Sequence, residues 1–422
     1  MSFARLISHD RKETAVRTIG MDVHRDFCEV AIIEDGAVRS APRVRTAPED
    51  LLVFAQSLAP TDEVVLENTG NARAIAAIVQ PHVGRVAIAN ALSVKLIAHA
   101  RVKTDKIDAR VLAQLLAAGF LPEVFFGDED TRALRRRISR RAALVKQRTA
   151  AKNEIHAVLQ RNLKDRPPAS DLFGKRGRAW LAMQVLVPDE AETVTGCLRQ
   201  IDMLDTEVAS MDAALATSAL GSADIRRLMT IPGIDMLTAT AVCSAIGDVK
   251  RFPTPRHLVS YLGLNPTVKQ SGIAPARTGR ISKAGSSVAR SALVEAAWAA
   301  ARSPGPLRAF AERVGARRGR NIAAVAVARK LTVLSWHLLS KEQDYAFARP
   351  SLVRGKLRRL ELTAGEPSKR GQRGSTGTHV SADVRSAELA AARQVEDAYR
   401  RMMADWKATG KRGAGAATGA RI

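Results

Sequence analysis

The run TIGMDVHRDFCEVAIIEDGAVRSAPRV, residues 18–44, reads as three consecutive strands. Residues 18–23 and 27–33 are short apolar runs, Glu34-Asp35-Gly36 supplies a turn, and residues 37–44 return as the third strand. Asp22 falls near the end of the first strand. Residues 48–59 then read as a helix, 63–68 as a short apolar strand with Glu67 near its end, 71–82 as a helix and 85–91 as another strand. The stretch RVKTDKIDARVLAQLLAAG, residues 101–119, closes the series. Its Ile107, Val111, Leu112, Leu115 and Leu116 recur at helical spacing. Asp105 and Asp108 stand three apart in the first part of this helix, neighbours on one face. Carboxylates that close repel unless a cation lies between them. Lys103, Lys106, Arg110 or a hard metal ion could supply that charge, and an acidic helix N-terminus is also favoured by the helix dipole.

A three-strand meander followed by alternating helix and strand is the order of an α/β RNase H-like fold. There the first and fourth strands lie side by side and a late helix closes the site. Asp22, Glu67, Asp105 and Asp108 are then expected to converge. Four oxygen donors without His or Cys suit Mg²⁺, with Mn²⁺ as a substitute. Such a site serves phosphoryl transfer.

Composition narrows the partner. The chain of 422 residues carries 66 Lys+Arg against 42 Asp+Glu, a net charge of +24. That excess implies a polyanion, nucleic acid before membrane. Aromatic residues are only 4%, so phosphate contacts should outweigh base stacking. Cys28, Cys197 and Cys243 have no paired spacing, which argues against a disulfide framework or a zinc site. The start, MSFARLISHDRKETAVR, has no apolar core of a signal peptide, and no run is expected to span a membrane. A cytoplasmic, nucleoid-associated protein is expected.

The organisation expected is a loose N-terminus (1–16), a catalytic α/β domain (17–125), a basic helical linker (126–222), an all-α domain (223–345) and a basic, partly disordered tail (346–422) with an isolated helix at 384–407. Residues 131–164 hold 11 Lys+Arg and one Glu. Arg135, Arg136, Arg137, Arg140, Arg141, Lys146 and Arg148 are its candidate phosphate contacts. An apolar seam (Leu134, Ile138, Ala142, Val145, Ile155, Leu159) could pair with residues 198–216 as an antiparallel coiled coil, within one chain or between two. The stretch LMTIPGIDMLTATAVCSAIGD, residues 228–248, resembles a helix-hairpin-helix, whose turn at Pro232-Gly233 could meet a DNA phosphate. Residues 264–290, rich in Gly, Pro, Ser and base, read as a long loop bearing Ser271, Arg277, Arg280 and Lys283. Apolar helices are expected at 287–303 and 321–340.

Taken together, MDVH, LENTG, KTDKIDAR, IPGI, YLGLNPTVKQSG and GRISKAG resemble the DEDD-type (RuvC-like) transposases and recombinases of the bridge-RNA-guided bacterial insertion-sequence family, related to Piv-type DNA invertases. The resemblance covers roughly residues 17–340. It implies a RuvC-like domain, a coiled-coil linker and a helical transposase domain. It makes Asp22, Glu67, Asp105 and Asp108 Mg²⁺ ligands and Ser271 a nucleophile forming a covalent phosphoserine. It further implies donor and target DNA and a non-coding bridge RNA as partners. Dimers would assemble to a homotetramer, the acidic cluster of one subunit meeting the serine of another. The sequence departs after GRISKAG, where Ser286-Ser287 offer rival serines beside Ser282. Competing readings are a metal-dependent nuclease or junction resolvase with water as nucleophile, a Piv-like invertase, and a non-enzymatic nucleic-acid-binding protein.

Overall fold

A computed structural model describes residues 16–98, 104–125, 127–272, 275–367 and 380–416. The chain divides into two compact units, Met1–Phe126 and Gly127–Ile422.

The first unit contains β1 (Thr18–Val23), β2 (Phe27–Glu34), β3 (Ala37–Arg45), α1 (Pro48–Gln56), β4 (Glu63–Glu67), α2 (Ala72–Val79), β5 (Arg85–Ala89), α3 (Ala91–Ile97) and α4 (Asp105–Ala117). The sheet order is β3-β2-β1-β4-β5. The β1–β2 and β2–β3 pairs are antiparallel, and β1–β4 and β4–β5 are parallel. This is the mixed sheet expected of an RNase H-like domain. The first three residues of the helix expected at 101–119 lie outside the described residues, and the described helix begins at Asp105.

Alternation sorts β1 into two faces. Ile19, Met21 and Val23 join Leu51 of α1 and Ile75 and Val79 of α2 in one apolar core. On the other face, Val65, Ala87 and Ala89 meet Leu112 and Leu116 of α4. Gly20 lies on this second face, directly under α4. A Cβ on Gly20 would collide with the Ala109 carbonyl oxygen and the Ala113 backbone nitrogen. The absent side chain therefore sets how closely the acidic helix approaches the strand. Gly20→Val is expected to lower stability by roughly 3 kcal/mol or more, because backbone must move to admit the side chain. Thermal unfolding monitored by circular dichroism tests this. A melting temperature equal to wild type would mean that α4 does not rest on β1.

The second unit contains α5 (Glu129–Arg161), α6 (Lys175–Ala182), α7 (Pro188–Gly221), α8 (Ala223–Leu228), α9 (Met236–Ile246), α10 (Pro255–Tyr261), β6 (Pro266–Lys269), β7 (Arg277–Ile281), α11 (Ser287–Arg302), α12 (Pro306–Arg318), α13 (Arg320–Lys341), α14 (Pro350–Thr363) and α15 (Ala382–Ala416). Helices α5 and α7 run antiparallel within one chain: Arg141 pairs with Asp212, Arg148 with Asp205 and Arg161 with Glu190. On α7 the buried Val194, Cys197, Ile201, Leu204 and Val208 alternate steps of three and four. At the other end of this pair, Ile138 and Leu215 enter the main core with α8–α11 and α13.

Three features differ from the sequence expectation. Residues 264–290 are no continuous loop: β6 and β7 form a two-stranded antiparallel ribbon. Helices α3, α6, α12 and α14 stand where none was expected. Helix α13, with 22 residues, is long and apolar enough to cross a membrane, contrary to the expectation that no run would be. Its apolarity has another cause: Ala323, Val327, Leu331 and Leu338 are buried in the core. The segments expected to be disordered, 368–378 and 411–419, lie outside the described residues, apart from the part of α15 up to Ala416.

Candidate functional site

Asp22 points from β1 toward α4 and is 3% exposed. The parallel register sets Met21 beside Leu66, so Glu67 follows on β4 as Asp22 follows on β1. Glu67 shares a hydrogen bond with Asp22 when one of the two carboxyls is protonated, and the charge of Asp108 also acts on Asp22. Asp105 begins α4, whose N-cap is Thr104, with the Thr104 Oγ1 accepting from Ile107 N at 3.4 Å. The four expected carboxylates thus gather at one end of β1 and β4 and the N-terminal turn of α4. Burial, then the hydrogen bond and charge of Glu67, and then the charge of Asp108, push the Asp22 pKa up to about 6; His24 opposes the shift. Mutual repulsion among acids gathered this way is what a divalent cation relieves.

His24 is the residue that sequence reasoning missed. Its Nε2 lies 3.1 Å from Asp22 Oδ2 and 3.3 Å from Asp105 Oδ2. One donor atom from each of the three lies within 4.8 Å of the others. An imidazole nitrogen thus stands beside the carboxylates of the expected all-oxygen set. The signal was the two-residue spacing of Asp22 and His24, which at a strand end puts both on one face. The LENTG turn contributes more than Glu67. Asn71 Nδ2 donates to the His24 carbonyl at 2.9 Å, and Thr69 Oγ1 donates to Asn71 Oδ1 at 3.0 Å, so this turn fixes the end of β1. Opposite Asp22 on β2 sits Glu29, buried and ion-paired with Arg43.

In the second unit, Ser271 is exposed at the end of the β6–β7 ribbon. Gly272 beside it has a positive φ of 57°, with open space where a Cβ would stand. Residues 273–274 lie outside the described residues. The rival serines have local tasks. Ser282 Oγ donates to Asn265 Oδ1 at 2.9 Å, and Ser286 Oγ caps α11 by accepting from Ala289 N at 3.2 Å. Ser287 is the exposed first residue of α11. Arg277, Arg280 and Lys283 are exposed, but strand alternation sends Arg277 and Arg280 to opposite faces of the ribbon.

The expected phosphate contacts divide. Arg135 donates to the Ser244 and Ala245 carbonyls at the end of α9, at 2.5 and 3.1 Å. Arg141 and Arg148 pair with α7, Arg137 donates to Ser218 Oγ at 2.9 Å, and Arg136 pairs with Glu129. Each of these five has a partner within the protein, though Arg136 and Arg137 remain exposed, as do Arg140 and Lys146 on α5. The hairpin turn is likewise turned inward. Pro232 is buried and, as a proline, has no N–H to offer a phosphate. Gly233, with a φ of 89°, is pressed on α11, where a Cβ would strike the Ala296 carbonyl.

Comparison with known proteins reaches both units. A DEDD transposase family typified by IS110 matches residues 19–163, and the "Transposase IS116/IS110/IS902 family" matches residues 225–312. The chain belongs to the IS110 family of transposases. The transposase for insertion sequence element IS1111A of Coxiella burnetii is 28% identical over 359 residues, 78% of this chain and 91% of that protein. The Sinorhizobium fredii protein y4qE is 31% identical over 198 residues, 47% of this chain; the chain spans about half, 48%, of its length. The pilin gene-inverting protein of Moraxella bovis is 32% identical over 120 residues, 28% of this chain and 37% of that protein. In this IS110-family chain the first match contains all four carboxylates and His24, and the second contains the hairpin and Ser271. Helices α13 to α15 lie outside both.

Proposed function

We propose that this chain cuts and rejoins DNA as the transposase of an insertion sequence, using the acidic cluster and Ser271. The observation that carries the reading is the gathering of Asp22, Glu67, Asp105 and Asp108 at one strand end, with Asp22 pushed up to about 6 by burial and then by Glu67 and Asp108. Asp22, Glu67, Asp105 and Asp108, with His24 beside them, would hold the cation. A divalent ion there, Mg²⁺ or Mn²⁺ in its place, would polarise the scissile phosphate and neutralise charge on the leaving oxygen. His24 Nε2 orients Asp22 and Asp105 toward one another. Ser271 Oγ attacks phosphorus, an O–P bond forms, and the P–O bond to the leaving sugar oxygen breaks, that oxygen taking a proton. One phosphodiester replaces another, so attack by a second strand's hydroxyl can restore the serine without ATP. Exposed Arg140, Lys146, Arg277, Arg280 and Lys283 supply phosphate contacts.

The family resemblance supports a bridge RNA that chooses donor and target DNA, and a homotetramer of dimers. In this reading the α5–α7 pair is a coiled-coil arm, α8–α9 a helix-hairpin-helix, and the site of action the nucleoid. The test is denaturing electrophoresis after incubation with element-end DNA, guide RNA and Mg²⁺. A covalent protein–DNA species is expected, and chelation of the divalent ion should abolish it. Cleavage that yields no adduct would instead assign water as the nucleophile and make the protein a nuclease.

A further inference from the structure

The turn between α8 and α9 directs its carbonyl groups inward, toward α14. Lys356 Nζ meets three of them, Met229 O, Ile231 O and Ile234 O, each at 2.7 Å. Lys356 is only 7% exposed. An ammonium has three N–H donors and no acceptor, so three carbonyls use its whole donor set. A buried ammonium without such partners is strongly disfavoured; here carbonyl dipoles replace its hydration shell, as rings of carbonyls do for a bare cation. Burial pulls its pKa down to about 8, with Asp235 opposing and Arg359 and Arg349 adding, so the charge persists at neutral pH. The turn is also held by Tyr345, whose N–H donates to Thr230 Oγ1 at 3.0 Å.

We propose that this turn is a monovalent-cation site, formed by the backbone carbonyls of Met229, Ile231 and Ile234 and filled by the chain's own Lys356 ammonium, which holds the hairpin in its folded shape. Lys356 is a positioning residue, and the ligand class of the emptied site is a small monovalent cation, ammonium or potassium. The carbonyl oxygens have no means to distinguish a tethered ammonium from a free one. The inference does not depend on the recombinase reading, and its test contains no DNA.

The full chain, Lys356→Ala and Lys356→Met are melted in tetramethylammonium chloride and, at equal ionic strength, in ammonium or potassium chloride. Both variants should melt lower than wild type in tetramethylammonium chloride, by on the order of 10 °C, the scale for an uncompensated buried polar site. Ammonium or potassium should restore at least half of the loss in Lys356→Ala, whose side chain leaves the space open. Neither should restore Lys356→Met, whose thioether fills it, and wild type should not respond. Should Lys356→Ala fold only in ammonium chloride, exchange into tetramethylammonium chloride should unfold it. Equal melting of Lys356→Ala in all three salts, or wild-type melting of Lys356→Met, overturns the proposal.

Discussion

Asp22→Asn is expected to abolish strand cleavage and, at neutral pH, to raise the melting temperature. The two effects share one cause. Asp22 is buried among carboxylates, and burial, Glu67 and Asp108 raise its pKa to about 6 despite His24. Since the folded value exceeds that of the unfolded chain, the folded state holds the proton more tightly. Stability is therefore lost as pH rises from about 4 through about 6, and the full cost applies above that window. A tenfold difference in proton affinity between the two states is worth roughly 1.4 kcal/mol, so a neutral isostere should stabilise the protein by about 1–3 kcal/mol at pH 7 and by nothing below about pH 4. Activity should fall on the order of 10³-fold, because the proposed cation site would lose one of its carboxylates. Asp105 is more exposed than Asp22, so Asp105→Ala should also abolish activity but with a smaller gain in stability. Calorimetry at pH 7 and pH 4, beside a cleavage assay, makes the check. A melting temperature lowered at both pH values would make Asp22 an anchor of the fold.

The strands of the first unit are legible in the sequence because their apolar runs end at recognisable turns: β2 and β3 are joined at Asp35-Gly36, both with positive φ. Helix α4 is legible from the periodicity of Leu112 and Leu116, which bury toward β4 and β5. The role of Gly20 is not, since a close approach of two backbones has no side chain to announce it. Counting charge overestimates the free basic surface of α5. The acids that engage Arg141 and Arg148 lie 71 and 57 residues away, on α7, and no local window joins them. Helix α12 is hard to see because alanines such as Ala309 and Ala311 make up much of its buried face. Helix α14 buries only Lys356 and Leu360, and a buried lysine reads as a surface residue until its three carbonyls are seen. The ribbon at Ser271 reads as a loop because its strands are four and five residues long and largely exposed, so no apolar alternation marks them.

Ser271→Ala should keep the fold and DNA binding and lose both the covalent adduct and cleavage. The side chain is exposed at the end of the ribbon, so removing its hydroxyl should leave the melting temperature unmoved. A serine hydroxyl at neutral pH attacks only when activated; an alanine has no atom to attack with, and a loss on the order of 10³-fold or more is expected. Ser286→Ala separates a structural serine from a chemical one. Its hydroxyl caps α11, so its loss should lower stability by about 1 kcal/mol while the adduct still forms. Ser282→Ala should likewise retain the adduct, since that hydroxyl is committed to Asn265. Ser287 is the remaining rival, exposed in the first turn of α11. Proteolysis of the trapped complex and mass mapping of the DNA-bearing peptide distinguish the two. A peptide modified at Ser271 is expected; an adduct that survives Ser271→Ala and disappears in Ser287→Ala moves the nucleophile to the helix.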